Sequence, residues 1–159
     1  MMTIRMASFV DIPQIVALAA DALARSRYAA FARLDAQAVK AVAFDCIAQH
    51  APVPGRAALF MADGADRLDA CFLGTVTPLY FGTDALVGSN LFFYAREDAP
   101  PTAALRLLRA FERWAQGSDR LTMFRYGFSD AISDPEKTAR AFEASGCRRA
   151  GFIYEKETT

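Results

Sequence analysis

The run Asn90-Leu-Phe-Phe-Tyr-Ala-Arg-Glu-Asp-Ala-Pro-Pro-Thr102, continued by Ala103-Ala-Leu-Arg-Leu-Leu-Arg-Ala-Phe-Glu-Arg-Trp-Ala-Gln-Gly117, decides the fold. Its first part is aromatic and strand-forming, and its middle carries two prolines. In its last part Ala104, Leu107, Leu108, Phe111, Trp114 and Ala115 share one side of a helix, with Arg106, Arg109, Glu112 and Arg113 on the other. The spacing predicts a helix over 102–116, stopped by Gly117. A strand that passes through a loop into a long helix leaves the first amide hydrogens of that helix without intrahelical partners, which makes the junction a seat for an anionic group.

Upstream of this junction the period is that of strands. Leu86 to Tyr94 reads as one strand, Asp69 to Thr77 as another and Ala57 to Ala62 as a third, with a hairpin turn at 63–67 and a turn region at 78–84 between them. Three strands with short connections imply an antiparallel meander. Before them stand two helices. The first starts near Asp11 and Pro13 and carries Ile12, Ile15, Val16, Ala19 and Leu23 on one face. The second is capped by Asp35, runs to about Gln49 and is expected to turn Val39, Val42, Ala43 and Cys46 inward. Ala51-Pro-Val-Pro-Gly55 then breaks the chain. A short strand over Thr3 to Ser8 opens the sequence. Downstream, Leu121 to Phe128 reads as a strand, Asp134-Pro135 starts a helix that ends at Ser145-Gly146, and Arg148 to Lys156 reads as a final strand. The expected order is β, α, α, three strands, α, β, α, β.

Composition narrows the function. The 159 residues suit one domain, 1–159, with a sizeable core. Eighteen basic and eighteen acidic side chains cancel, so no overall field selects nucleic acid or an anionic membrane as partner. A hydrophobic share of 53% with 23% charged residues fits a folded protein. The opening Met1-Met-Thr-Ile-Arg-Met-Ala7 lacks the apolar core of a secretion signal, and no segment approaches the roughly 20 apolar residues of a membrane span. The expectation is a soluble, cytoplasmic protein. Cys46, Cys71 and Cys147 have no paired spacing and read as buried free thiols, and the single histidine, His50, reads as a loop residue, so no metal site is expected.

The element order, with Ile4-Arg-Met-Ala and Asp11-Ile-Pro at the front and Phe142-Glu-Ala-Ser-Gly146-Cys147 followed by 149–156 at the end, resembles the GNAT superfamily of acyl-CoA-dependent N-acetyltransferases. The resemblance covers nearly the whole chain. It implies an α/β (α+β) fold with a mixed, largely antiparallel twisted sheet flanked by helices in a single domain. It further implies that the strand ending in Phe92, Phe93 and Tyr94 splays from its neighbour, so that main-chain groups there hold the pantetheine arm of acetyl-CoA or another acyl-CoA. The start of the long helix, at Thr102, Ala103 and Ala104, would then meet the pyrophosphate. The acceptor implied is a small-molecule or peptide amine, attacking the thioester directly.

Several side chains usual in such proteins are replaced. Their phosphate loop, R/Q-x-x-G-x-G/A, falls on 99–104 here, and only Ala104 fits it. The strand over 86–94 carries no glutamate to serve as base, although an amine with a pKa of ~10.4 has to lose a proton before it attacks. Phe142 stands where a tyrosine assists thiolate departure, and Pro135 where an asparagine is common. Tyr80, Tyr94, Tyr126, Asp98 and Asp130 are the polar candidates to replace them. Two readings follow: an N-acetyltransferase that relies on main-chain orientation and oxyanion stabilisation, or a catalytically degenerate binding or assembly module. An exposed edge strand or the arginine-bearing helix face offers a surface for a homodimer.

Overall fold

The computed structural model describes residues 2–49, 56–82 and 84–158. His50 and the Ala51–Gly55 break lie outside the described residues. Among the described residues five strands form one sheet in the order β1-β2-β3-β4-β5, namely Thr3–Met6, Arg56–Asp63, Leu68–Pro78, Leu86–Ala95 and Leu121–Arg125. β1 to β4 pair antiparallel, and β5 lies parallel to β4 after a crossover through a helix. The sheet is therefore mixed and largely antiparallel, and the meander of the central three strands forms as expected.

Helices α1 (Ile12–Arg25), α2 (Ala36–Gln49), α3 (Ala103–Ala115) and α4 (Pro135–Ala144) cover the sheet. Alternation along the strands sends successive side chains to opposite faces. Met61, Cys71, Leu73 and Tyr94 meet Ile15, Leu18 and Ala22 of α1 and Ala43, Cys46 and Ile47 of α2. Phe60, Ala62, Ala70, Phe72 and Val76 meet Leu107, Leu108, Phe111 and Ala115 of α3. Val42, expected inward, is half exposed, because Ala43, Cys46 and Ile47 form the contact face and set the rotation of α2.

Gly74 allows α3 to sit close to the sheet, and Gly88 leaves room for a ring of the neighbouring β5. A Cβ built on Gly74 would lie 2.3 Å from the Phe111 ring, and one on Gly88 would lie 2.6 Å from the Phe124 ring. Phe111 thereby reaches Phe72, at 4.9 Å between ring centroids, and is itself fully buried.

The helices expected after Asp11, Asp35 and Asp134 start there, and at two of the three the carboxylate also caps the first turn. Asp35 accepts from the amides of Gln37 and Ala38, and Asp134 from that of Glu136. Asp11 instead reaches back, accepting from the Ser8 amide at 2.7 Å and hydroxyl at 2.8 Å, and sideways to Arg5 at 2.7 and 2.8 Å. Arg5 also holds Asp63 at the end of β2, so one guanidinium ties β1, β2 and the start of α1 together.

The expected final strand does not form. Arg148–Lys156 lies outside the sheet in irregular backbone, with Phe152 and Tyr154 more than four-fifths exposed. Its polar groups are taken elsewhere: Arg149 pairs with Glu136 and Glu143 of α4, and Glu155 with Arg27 and Tyr28. β5 also stops at Arg125 rather than Phe128.

Candidate active site

β4 and β5 share a ladder only at its beginning. Leu86, Val87, Gly88 and Ser89 pair with Leu121, Met123, Phe124 and Arg125, and there the parallel pairing stops. β4 runs on to Ala95, held by β3 alone. From Asn90 to Ala95 the side of β4 that faces β5 therefore has no ladder partner, and a main-chain edge opens there. The register against β3 jumps at this point too: Leu73 lies opposite Phe92 and Gly74 opposite Asn90, so Leu91 is an extra residue on β4. Such a bulge bends the strand and adds twist, at the point where the pairing with β5 ends.

Asn90 stands at the fork. Its side-chain NH2 donates to the Gly127 carbonyl at 2.7 Å, and its Oδ1 accepts from the Gly127 amide at 2.8 Å. A side chain thus replaces the next backbone rung and pins the point of divergence. Nothing in a single sequence distinguishes this asparagine from a solvent-facing one, apart from its being the lone amide side chain in an apolar strand.

Phe92, Phe93 and Tyr94 lie on the opened half of β4, as expected. Phe93 faces the α3 side, whereas Phe92 and Tyr94 face α1 and α2. The Tyr94 hydroxyl donates to Asp21 of α1 at 2.5 Å, and burial together with that carboxylate pushes its pKa up to about 12. β4 then delivers the chain through Arg96–Pro101 to the start of α3. Thr102 is exposed there, Ala104 is partly exposed, and Ala103 is buried with its amide donating to the Pro100 carbonyl at 2.8 Å. Helix geometry leaves the amides of Thr102, Ala104 and Leu105 to face an anion, since the first intrahelical bond belongs to Arg106, donating to Thr102.

The polar candidates are distributed around this slot and do not converge. Tyr126 follows β5 directly and packs against Phe142 at 5.2 Å between centroids, while its hydroxyl donates to Glu112 of α3 at 3.0 Å. Burial first, and Glu112 second, raise its pKa well above the ordinary phenol value. Asp130 is paired with Arg27 at 2.5 Å, and Asp98 with Arg67. Tyr80 is exposed in the β3–β4 turn beneath the Arg125 guanidinium, 5.2 Å from its ring centre. None of these groups forms a base and acid pair with another. Among the described residues no cluster of three metal-ligating side chains exists, and no helix is long and apolar enough to cross a membrane.

No family model matches the chain, and no curated protein matches it in sequence. Solved structures do match its shape. One is AAC(6')-Iy in complex with the bisubstrate analogue CoA-S-monomethyl-acetylneamine, with a TM-score of 0.72 and 13% identity over 99% of both chains. A second is a predicted acetyltransferase with acetyl-CoA from Clostridium acetobutylicum, with a TM-score of 0.70 and 14% identity over 99% of this chain and 96% of that one. A third, a transcriptional regulator from Bacillus halodurans, has a TM-score of 0.73 and 15% identity over 99% of this chain and all of the other. At these identities the likeness is one of architecture alone: the mixed five-stranded sheet flanked by helices is the GNAT fold.

Proposed function

We propose that the protein is an N-acyltransferase that moves an acyl group, with acetyl the simplest case, from a coenzyme A thioester to an amine. The observation that carries this reading is the half of β4 that has no partner on its β5 side beyond Ser89, pinned open at Asn90 and leading directly into the α3 start. An extended pantetheine arm can add to that edge as a strand does, through main-chain hydrogen bonds that require no particular side chain. Phe92, Phe93 and Tyr94 supply those groups, and Thr102, Ala103 and Ala104 frame the helix start toward which the phosphates point. Two of the solved structures of the same shape carry CoA-derived ligands, which supports the choice of cofactor.

In this reading the amine nitrogen attacks the thioester carbonyl carbon, and the electron pair of the C=O bond moves onto oxygen. A β4 amide steadies that oxyanion, a contribution of roughly 2.7 to 4 kcal/mol. Collapse of the intermediate breaks the C–S bond, the nitrogen loses a proton to solvent, and the thiolate leaves. Tyr94 and Tyr126 both hold their protons at neutral pH, each bound to a carboxylate. The chemistry therefore rests on orientation, which alone can supply roughly 7 to 11 kcal/mol.

Thermal unfolding with and without acetyl-CoA tests the reading, since a ligand at 100 times its dissociation constant stabilises the fold by about 2.7 kcal/mol. Stabilisation followed by release of free thiol with an amine panel is the expected result. Stabilisation without thiol release would identify a binding module on the same fold, and an unchanged melting temperature would end the cofactor assignment.

A further inference from the structure

The loop between β4 and α3 borders an open cleft of about 510 Å³ lined by Asp21, Arg25, Arg67, Arg96, Glu97 and Asp98. Its arginines come from three separate elements: Arg25 from the end of α1, Arg67 from the β2–β3 hairpin and Arg96 from the loop itself. They differ in how firmly they are held. Arg96 is mostly buried, donates through Nε to the Leu68 carbonyl at 3.1 Å and pairs with Asp21 at 3.2 Å. Arg25 and Arg67 are more open. Arg25 pairs at 2.9 Å with Glu97, whose side chain is 82% exposed; Arg67 pairs with Asp98, whose side chain is 68% exposed, and more loosely, at 3.8 Å, with Asp69 of β3.

The same loop is poor in anion-binding amides. Pro100 and Pro101 have none, and the amides of Ala99 and Ala103 already donate to the carbonyls of Arg96 and Pro100. A ligand with several phosphate charges therefore finds few main-chain donors in the loop ahead of the helix start, and two partly exposed guanidinium groups beside it. Those groups are occupied by carboxylates of the loop, whose oxygens mark where anionic oxygens sit. Exposed pairs of this kind contribute little to stability, so a phosphate, which takes Arg in a two-pronged, charge-assisted contact, can displace them.

We propose that Arg25 and Arg67 are the phosphate ligands of the coenzyme A substrate, and that Glu97 and Asp98 hold these seats when it is absent. On binding, the two loop carboxylates swing to solvent and the arginines turn from carboxylate to phosphate, with Arg96 fixed behind them. This inference rests on the acyltransferase reading and adds to it the residues that replace the missing phosphate loop.

The test compares acetyl-CoA with S-acetylpantetheine, which lacks the nucleotide phosphates, by calorimetric binding to four forms of the full chain: wild type, Arg25→Gln/Arg67→Gln, Glu97→Gln/Asp98→Asn and the four-site combination. The arginine variant is expected to bind acetyl-CoA about tenfold more weakly, with S-acetylpantetheine unaffected. The carboxylate variant, with its seats vacated, is expected to bind acetyl-CoA roughly threefold more tightly and with a steeper salt dependence. Equal acetyl-CoA affinity in all four forms overturns the inference while leaving the acyltransferase reading intact. Failure of wild type and the carboxylate variant to bind either thioester overturns both. Melting temperatures report folding; if the double arginine variant unfolds, Arg67→Gln alone, set against the carboxylate variant, gives the same two-sided comparison.

Discussion

Asn90 holds Gly127 by both ends of its backbone peptide groups, donating to the carbonyl at 2.7 Å and accepting from the amide at 2.8 Å. The contact lies one residue beyond the last β4–β5 pair, Ser89 with Arg125. Replacing Asn90 with Ala removes both bonds, at about 1 to 3 kcal/mol of stability, and releases the geometry of the fork. The expected outcome is a modest fall in melting temperature with a larger proportional loss of acetyl-CoA affinity. Asn90→Asp keeps the acceptor and loses the donor, so it should fall between the two in binding titrations.

Thr102→Glu tests the α3 start. A carboxylate at a helix N-terminus interacts favourably with the helix dipole, by about 0.3 to 1 kcal/mol, so the variant should melt at or slightly above the wild-type temperature. It also places negative charge where the phosphates would come. Acetyl-CoA should therefore no longer shift the melting curve, and retention of that shift would remove the helix start from the site.

Gly74→Ala places a methyl group against the Phe111 ring, 2.3 Å away before any relaxation. Overpacking of this kind costs about 1 to 3 kcal/mol, to be read from urea unfolding midpoints. Phe111→Leu alone also destabilises, by opening a cavity. The pair combined should lose less than the sum of the two, because the smaller side chain leaves room for the added carbon.

Asp11 predicts an acid limb in the stability curve. The Arg5 guanidinium, chiefly, and Ser8 hold its carboxyl well below the usual carboxylate range, while burial opposes them. A depressed folded-state pKa means that the stabilisation is fully present above the unfolded-state value of ~3.9 and is lost as pH falls below it toward the folded value. Urea midpoints of wild type should drop more steeply than those of Asp11→Asn between about pH 4 and pH 2. Above about pH 5 both curves should be flat in this respect, with the variant lower throughout.

Thiol labelling should separate the cysteines. Cys71 is buried and its pKa is pushed up to about 12 by that burial, and burial also raises that of Cys46. Cys147, partly exposed after α4, should react first with an aromatic disulfide reagent at pH 8, with the other two appearing only on unfolding.

The helical half of the molecule was legible in the sequence because its signals are local. Leu107, Leu108 and Phe111 recur at helical spacing whatever surrounds them, and the carboxylates of Asp35 and Asp134 cap the turns that follow them. Strands depend on partners. Phe152, Ile153 and Tyr154 have the composition of a strand, yet residue type alone does not supply a neighbour with a free edge in register, and Glu155 is drawn to Arg27 and Tyr28 instead. The proposed site divides in the same way. The main-chain frame proposed at 92–94 and at Thr102 follows from element order. The cleft of Arg25, Arg67 and Arg96 draws on three distant positions, and no spacing pattern announces that they meet.

The β4–β5 fork also bears on how such a protein can change over time. Its outline is drawn by rung count, one inserted residue and a peptide-mimicking amide, with the side chains of the opened half of β4 taking no part in the ladder. Selection acting on a main-chain cofactor grip of the kind proposed above would then leave few conserved letters behind. A lineage built this way can drift until sequence comparison falls silent, while the shape it inherits stays recognisable.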